Sequence, residues 1–278
     1  MKIIFSRKGF DSGSGGVPSP ILGGVPVSLP IPSGPSEPFR YADLSHPVAG
    51  PLGPIVETAS RGRISEARWA HADPVLPDRP GPSALGQQGA AQSHLENQGV
   101  GVGDIFVFFG LFRDQEAPRG HPDGRPHHRI FGLMRIERVL RLGPDPDPRD
   151  PDLAAWESHP HVHRPGGMEN NTLWLGTGCL AHAAHSGLRL TRDDAKGPSG
   201  WAAPAWLTNH GLSYHANPAR WSPGALDLVA RGQEFVSNVG EDREAREWLA
   251  RIETLLCQAG GLPLQMERHQ DTREEHPR

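Results

Sequence analysis

Proline spacing near the amino end limits the fold of this chain more than any other feature. Ten prolines lie between Pro18 and Pro54, both included. Proline lacks a backbone N–H and fixes φ, so such a segment excludes a helix and allows strands only at sheet edges. We therefore expect these residues to wrap over the protein as extended chain. The whole chain has 29 prolines and 34 glycines, which indicates many turns and loops rather than long helices.

Length and charge set the class of protein. The 278 residues are enough to bury a sizeable core, and we predict one domain over residues 1–260 followed by a polar tail at 261–278. A formal charge of −4 provides no overall attraction to nucleic acid or to an anionic membrane. The sequence has neither an apolar run of membrane-spanning length nor a signal-peptide pattern, so we expect a cytoplasmic protein without membrane contact.

The two cysteines, Cys179 and Cys257, are too few and too isolated to indicate a disulfide framework or a cysteine-based zinc site. Isolated thiols are commonly buried as small apolar groups. We therefore expect both side chains as buried or half-buried free thiols.

A glycine-rich loop follows the first predicted strand, Ile3–Phe5. The backbone N–H groups of such a loop can surround an anion, and a flexible surface turn is the alternative. The loop has neither the P-loop nor the GxGxxG pattern, which disfavours an ordinary ATP or NAD site. Within the loop, Asp11 is the candidate acid or base. The candidate phosphate contacts are Arg7, Lys8, Ser12, Gly15 and Gly16.

Residues Ser83 to Gln98 predict the first helix, because Ser83 can cap its start and Gly99 can end it. Amide and small side chains occupy the face where leucines would normally lie. Such a helix either packs closely against another backbone or lines a polar pocket. Amides both donate to and accept from the edge of a nucleobase. The candidate base contacts are Gln87, Gln92, His94 and Asn97.

Apolar patterns predict three further elements. Gly103–Arg113 is apolar on both faces, which is typical of a strand in the centre of a sheet or barrel. Its partner is His128–Leu142, in which Gly132 marks a bulge or a close approach. Glu241–Cys257 is an amphipathic helix to which we assign a packing role.

Two arginine-containing segments supply further candidate contacts. Residues 119–141 hold six arginines against two acids, which favours either a phosphate-facing edge or a solvated hairpin rim. Near the carboxyl end, polar residues flank Gly232 and suggest an arginine–carboxylate clamp or a structural ion pair. Glu234 is the second candidate catalytic residue. The candidate substrate contacts here are Arg113, Arg231 and Gln233.

Two histidine patterns indicate contact with a substrate or a metal ion. His159, His161 and His163 would project from one face of an extended segment, where three imidazoles can bind zinc, iron or copper. A proline within the segment and the lack of a fourth ligand at motif spacing argue against this, so no residue is assigned as a metal ligand. His71 and Asp73 also share a face in extended chain, which suits substrate contact, half a metal site or an ordinary polar loop.

Several blocks of sequence resemble the nucleotide modification-associated domain 3 (Nmad3) family. The two most specific blocks cover the amino-terminal loop and the segment predicted as a polar helix. The matching residues are 6–12, 15–16, 18–21, 28–32, 86–87, 89–92, 94–95, 97–100, 103–104, 108–110, 112–113, 159–161, 171–173 and 231–235. This family occurs in phages and bacteria and is assigned to DNA base hypermodification. The resemblance implies a nucleotide or DNA partner, together with other proteins of a modification system, and it supplies neither a reaction nor a cofactor.

The predicted fold is α+β, with a curved, mostly antiparallel sheet or a PUA-like barrel, a few helices and long Pro/Gly-rich loops. The barrel alternative comes from a likeness of the two central strands to PUA-like proteins, which include readers of modified bases. The leading hypothesis is a component of a base hypermodification system that binds a nucleotide or base in a polar pocket. If it is an enzyme, it is a nucleobase- or nucleotide-modifying transferase or hydrolase. The alternatives are a non-catalytic reader of modified bases and a histidine-ligated metalloenzyme.

Overall fold

The computed structural model describes residues 1–118, 120–147, 149–163, 166–230 and 232–257, which form an α+β fold. The strands are β1 (Lys2–Arg7), β2 (Ser19–Leu22), β3 (Val25–Pro26), β4 (Ile31–Pro32), β5 (Phe39–Arg40), β6 (Ser45–His46), β7 (Gly50–Pro51), β8 (Trp69–His71), β9 (Gly81–Gln87), β10 (Ile105–Asp114), β11 (His127–Arg141), β12 (Thr172–Leu180), β13 (Gly200–Ala202), β14 (Trp221–Ser222), β15 (Ala225–Asp227) and β16 (Glu234–Asn238). The α-helices are α1 (Leu52–Ser60), α2 (Gly89–Asn97), α3 (Pro160–His163), α4 (Ala205–His210) and α5 (Arg243–Cys257). Short 3₁₀ turns occupy Tyr41–Asp43, Pro122–Gly124, Ala154–Trp156, Ser186–Leu188 and Pro218–Arg220. The tail predicted at 261–278 lies outside the described residues.

The prediction of a central apolar strand is confirmed by β10. This strand pairs in parallel with β1 and antiparallel with β11, and its residues 105–110 are buried. The register with β11 shifts between Phe108 and Phe109, and Gly132 pairs with Phe108 at that point. A Cβ on Gly132 would lie 2.6 Å from Leu76 Cδ1. Gly132 therefore marks both a bulge and a close approach.

The main sheet is mixed and mostly antiparallel, with the strand order β16-β1-β10-β11-β12-β9. Strands β2 and β3 extend from β10 off this path. All six strands of the path contribute buried side chains to one cluster, called here the inner core, so the sheet curves around it. Its contributors include Ile4, Leu85, Phe106, Met134, Trp174 and Val236. The described strands do not close into a barrel, because β9 and β16 do not pair.

A second cluster, called here the outer core, lies on the other face of the sheet. Alternate residues of β10, Ile105, Val107 and Phe109, contribute to it. Helices α4 and α5 and the small sheet β13-β15-β14 cover this face. The predicted amphipathic helix is confirmed as α5, whose apolar side chains pack there.

The expectation of free thiols is wrong, because Cys179 and Cys257 form a disulfide. Cys179 points from β12 into the outer core, and Cys257 ends α5, which packs on that face. Packing of α5 brings their Cα atoms to 6.5 Å although 78 positions separate them in the sequence. Such a distance is within the usual range for a disulfide.

The proline-rich segment forms short paired strands and a local core around Tyr41 and Val56. The prediction that it contains no helix is wrong at its end, because α1 begins at Leu52 and includes Pro54. The first turn of a helix leaves its N–H groups without intrahelical partners, so a proline fits there without losing a hydrogen bond.

The helix predicted over 83–98 is wrong in its first half. Residues 81–87 form β9, which pairs with β12 over its whole length. The chain turns at Gly89, whose φ is +63°, and α2 follows. The buried partner strand overrides the helical spacing of the amides.

The extended conformation that would place the three histidines on one face is not formed at 159–163. Val162 and His163 both donate backbone hydrogen bonds to the carbonyl of His159, so the segment makes a helical turn. As a result the three histidines do not share a face: His159 and His161 are buried, whereas His163 is exposed.

None of the described helices has the length and apolar character that crossing a bilayer requires.

Candidate functional site

A cavity of about 310 Å³ lies where three strand ends meet. Strand β16 runs antiparallel to β1, so its first residue, Glu234, pairs with Ser6 near the end of β1. The end of β9 joins them through Gln87. His71 at the end of β8, Asp73 two positions beyond it and His161 of helix α3 also line the cavity. The predicted site residues that line the cavity are Arg7, Lys8, Asp11, Gln87 and Gln233.

Glu234 is a deeply buried carboxylate next to this cavity, with a side chain only 1% exposed. Its Oε1 accepts hydrogen bonds from Ser6 Oγ at 3.0 Å and from Gln87 Nε2, and Lys8 Nζ lies 3.4 Å away. Its Oε2 has no hydrogen-bond partner among the described residues. Burial raises the pKa of Glu234, and Lys8 and the hydrogen bonds from Ser6 and Gln87 oppose that rise.

Arg7 fixes the segment that precedes β16. Its guanidinium donates to the carbonyls of Ala230 at 2.7 Å and Val229 at 3.1 Å, and it lies over the rings of Phe109 and Phe235. Burial lowers the pKa of Arg7, and the nearby charge of Asp11 opposes this. Arg7 therefore supplies positive charge to the cavity while its two terminal nitrogens each hold a backbone carbonyl.

Asp11 shapes the glycine-rich loop. Its Oδ1 accepts hydrogen bonds from the backbone N–H groups of Gly13 at 2.8 Å and Ser14 at 2.7 Å. This is the local pattern by which aspartate stabilises a turn. The loop is thus a defined turn that presents Asp11 and Ser14 to the cavity.

Asp73 is another carboxylate at this site. It lines the cavity, and its side chain is only 3% exposed. Its Oδ1 accepts from the backbone N–H of Gly86 at 2.9 Å and faces His159 Nε2 at 3.1 Å. Its Oδ2 lies 4.0 Å from Lys8 Nζ. Burial alone would raise the pKa of Asp73, but the hydrogen bond with His159 and the charge of Lys8 outweigh it and lower the pKa.

Two histidines extend toward Asp73 with their rings fixed from behind. His161 Nδ1 lies 2.7 Å from Asn171 Oδ1, and Asn171 Nδ2 donates to the His161 carbonyl at 2.9 Å. His71 Nδ1 lies 3.2 Å from both carboxylate oxygens of Glu37. Burial lowers the pKa of His161 to about 4, so its ring is neutral at pH 7. The ligand atoms of His71, Asp73 and His161 all lie within 4.8 Å of one another.

Gly86 allows this arrangement. A Cβ on Gly86 would overlap the ring of His161. The ring therefore packs directly on the backbone of β9, where it faces the cavity. Only glycine provides that space in a strand.

The other predicted loop and helix residues do not line this cavity. Ser12 and Gly16 are exposed, and Gly15 lies against the ring of Phe10. On α2, Gln92 accepts a hydrogen bond from the Trp174 indole, His94 contacts Ser213 and stacks on Tyr214, and Asn97 is exposed. Arg231 lies outside the described residues.

Arg113 and four arginines of residues 119–141 lie away from this cavity. Arg113 lines a separate cavity beside the β10–β11 connection. Buried Arg129 pairs with Asp123 at 3.0 Å, and three others pair with acids elsewhere in the fold. Those pairs are Arg135–Glu253, Arg138–Asp152 and Arg141–Glu96. These four side chains support the solvated or structural interpretation of the segment rather than a phosphate-facing edge.

Sequence reasoning missed the residues that orient the histidines. Glu37 lies in the proline-rich segment and was assigned no role, and Asn171 and Gly86 entered only through the family resemblance. The signal that points to this cluster is the pair of short patterns His71-x-Asp73 and His159-x-His161. Neither pattern shows by itself that the two meet.

Comparison with known proteins assigns the chain to a family. No curated protein and no solved structure matches it. The sequence model of nucleotide modification associated domain 3 matches residues 2–238, which include every described residue of the cavity wall. The chain therefore belongs to the Nmad3 family, whose name links it to nucleotide modification.

Proposed function

We propose that this protein binds a nucleotide or a base of DNA in the 310 Å³ cavity and takes part in modifying the base, with Glu234 carrying the proton. The observation that supports this most is the state of Glu234: buried, with a raised pKa and with Oε2 unpartnered. Among the described residues, Ser6, Lys8 and Gln87 contact the other oxygen, whereas Oε2 is buried without a hydrogen-bond partner.

A raised pKa suits proton transfer near neutral pH. A carboxyl group whose pKa moves toward the working pH both accepts and releases a proton readily. Desolvation beside a counter-charge is the usual way in which proteins achieve this. Of the two carboxylates named as candidate catalytic groups, Asp11 uses Oδ1 to form its turn, so we assign it to the cavity wall and assign proton transfer to Glu234.

The cavity has the size and the polarity for a nucleotide. Its volume is at the lower end of the range of about 300–1,000 Å³ for small-molecule sites. Arg7 and Lys8 line the cavity with positive charge, which suits a phosphate. Gln87 and Gln233 supply amide groups, which suit the edge of a base. The partners that follow are a nucleotide or DNA and the other proteins of a modification system.

The test is mass spectrometry of nucleosides from cells that carry the wild-type gene, Glu234→Gln or no gene. We expect a modified nucleoside with the wild type and its loss with Glu234→Gln, which keeps the size of the side chain and removes its titration. Asp104→Asn is the matched control, because Asp104 is also a buried carboxylate paired with a lysine, Lys2, at 3.6 Å. That pair lies near the other end of β1.

Two results would overturn the proposal. Wild-type nucleosides in cells with Glu234→Gln would remove the proton-transfer role. Identical nucleosides with and without the gene, together with binding of the purified protein to modified DNA, would favour a non-catalytic reader. Binding that weakens with salt would fit contact with phosphates in either case.

A further inference from the structure

We propose that His71, Asp73 and His161 bind a divalent first-row transition-metal ion at the wall of the cavity. Their ligand atoms lie within 4.8 Å of one another, and all three residues line the same cavity. A small inward movement brings three such atoms to the bond lengths of about 2.0–2.2 Å that nitrogen and carboxylate ligands make with zinc.

The hydrogen bonds behind the two histidines determine which nitrogen each presents. Both carboxylate oxygens of Glu37 lie 3.2 Å from His71 Nδ1, so Nε2 is the nitrogen that this ring has left for a metal ion. Asn171 Nδ2 donates to a carbonyl, which orients its Oδ1 toward His161 Nδ1. Nε2 is therefore also the nitrogen that His161 has left for a metal ion. A second partner that holds Nδ1 is the usual support of a metal-binding histidine.

Asp73 supplies the third ligand through one oxygen. Gly86 N–H and His159 Nε2 occupy Oδ1, while the ammonium of Lys8 lies 4.0 Å from Oδ2, which accepts no hydrogen bond from the part of the chain that the structure describes. His159 is fully engaged, because its Nδ1 accepts from the backbone N–H of His161. Lys8 is thus the cation that a metal ion would displace from Oδ2.

Two imidazoles and one carboxylate define the class of metal. Imidazole favours zinc and iron over magnesium and calcium, which prefer oxygen ligands. Three protein ligands leave the remaining coordination positions for water or substrate, as in catalytic rather than structural sites. An ion here would polarise an oxygen of a bound substrate or lower the pKa of a bound water. This inference goes beyond the proposed function, since the metal site and the role of Glu234 rest on different residues.

The experiment is metal titration of the full chain, purified without a histidine tag and freed of metal with a chelator. Zn²⁺ is measured by calorimetry and by elemental analysis, Fe²⁺ is measured under anaerobic conditions, and Co²⁺ is measured by its visible spectrum. The variants are His71→Ala, Asp73→Asn and Glu37→Gln. His210→Ala is the matched control, because His210 also pairs with a carboxylate, Asp242, at 2.9 Å but belongs to no cluster of three ligands among the described residues.

We expect one ion per chain in the wild type and in His210→Ala, and less than one-tenth of that occupancy in His71→Ala and Asp73→Asn at the same metal concentration. Glu37→Gln should weaken binding by about 10- to 100-fold, as for other changes behind a metal ligand. Strong Co²⁺ bands indicate a zinc-like site of low coordination number, and weak bands indicate a six-coordinate, iron-like site. Less than one equivalent in the wild type would overturn the proposal. Wild-type binding by both His71→Ala and Asp73→Asn would also overturn it, with circular dichroism to show that each variant is folded.

Discussion

Gln87 donates a hydrogen bond to Glu234 and so joins the two edge strands of the curved sheet. Gln87 ends β9 and Glu234 begins β16, and four strands lie between them in the sheet order. The contact therefore exists only because the sheet curves around the inner core. It places a buried carboxylate next to the cavity, at the seam where β9 and β16 do not pair with each other.

The burial of Glu234 predicts how stability depends on pH. Its folded-state pKa is raised above the ordinary value of 4.5, because burial disfavours the charged form. The protonated form is favoured in the folded protein, so this contribution to stability is fully present below pH 4.5 and is lost as pH rises through the folded pKa. The Glu234→Gln variant has no titrating group at this position, so its stability does not fall with pH for this reason. Its unfolding free energy relative to the wild type should therefore rise with pH above 4.5, which urea unfolding at a series of pH values measures.

Asp104→Asn is the control for that series. Asp104 accepts hydrogen bonds from the backbone N–H groups of Lys2 and Gly101, so its carboxylate is held in a different way from that of Glu234. A Glu234→Gln profile parallel to the wild type across the range would show that Glu234 does not titrate abnormally.

Gly86→Ala should disturb the position of His161. The added Cβ overlaps the imidazole, so the ring must move away from Asp73, and overpacking of this kind costs about 1–3 kcal/mol. The backbone N–H that Gly86 donates to Asp73 is kept. We expect metal affinity to fall by more than the loss of stability explains. Calorimetry with Zn²⁺ and thermal unfolding of the metal-free protein measure the two effects.

Gly81→Ala is the matched control in the same strand. Its Cβ would meet the nearest atom, Pro77 Cγ, at 3.4 Å, which is ordinary contact. The change should alter stability by less than about 1 kcal/mol and leave metal affinity unchanged. If Gly86→Ala and Gly81→Ala showed the same metal affinity, packing of the His161 ring on Gly86 would not be required for metal binding.

Local patterns were sufficient to predict the central strand, the bulge at Gly132 and the carboxyl-terminal helix. Each depends on apolar residues that are close in sequence, so the physical cause is local. The same holds for Arg7, Lys8 and Asp11, which lie together because one strand and one turn carry them. The α+β class follows from these elements.

Contacts between distant segments could not be predicted in this way. Gln87 and Glu234 are 147 positions apart, and their meeting depends on the curvature of the whole sheet. The meeting of His71 and Asp73 with His161 depends on a helical turn at Pro160–His163 that the sequence pattern did not predict. The amides predicted as one helical face were divided by the turn at Gly89, so Gln87 reached the cavity and Gln92 became a partner of Trp174. The spacing of residues along the chain does not determine which strand a segment will pair with.

Replacing Lys8 should change metal binding and nucleotide binding in opposite directions. In Lys8→Met the ammonium that competes for Asp73 Oδ2 is gone. Two unit charges 4 Å apart interact by about 1 kcal/mol or more, so Zn²⁺ should bind about fivefold more tightly or better. A nucleotide loses the cation that contacts its phosphate and should bind more weakly. Calorimetry with each ligand separates the two roles, and a loss of both affinities would indicate that Lys8 acts by holding the fold.

The disulfide predicts a specific loss of stability when it is removed. Cys179 and Cys257 join β12 to the end of α5, and they close a loop of 78 positions. Cross-links of this size typically stabilise a folded protein by about 2–4 kcal/mol, because they restrict the unfolded chain. We expect Cys257→Ser to lower the unfolding free energy by that amount in the absence of reductant. With reductant present, the wild type should unfold at the same urea concentration as the variant. If the two proteins differ equally with and without reductant, the stabilisation comes from packing of the Cys257 side chain instead of the cross-link.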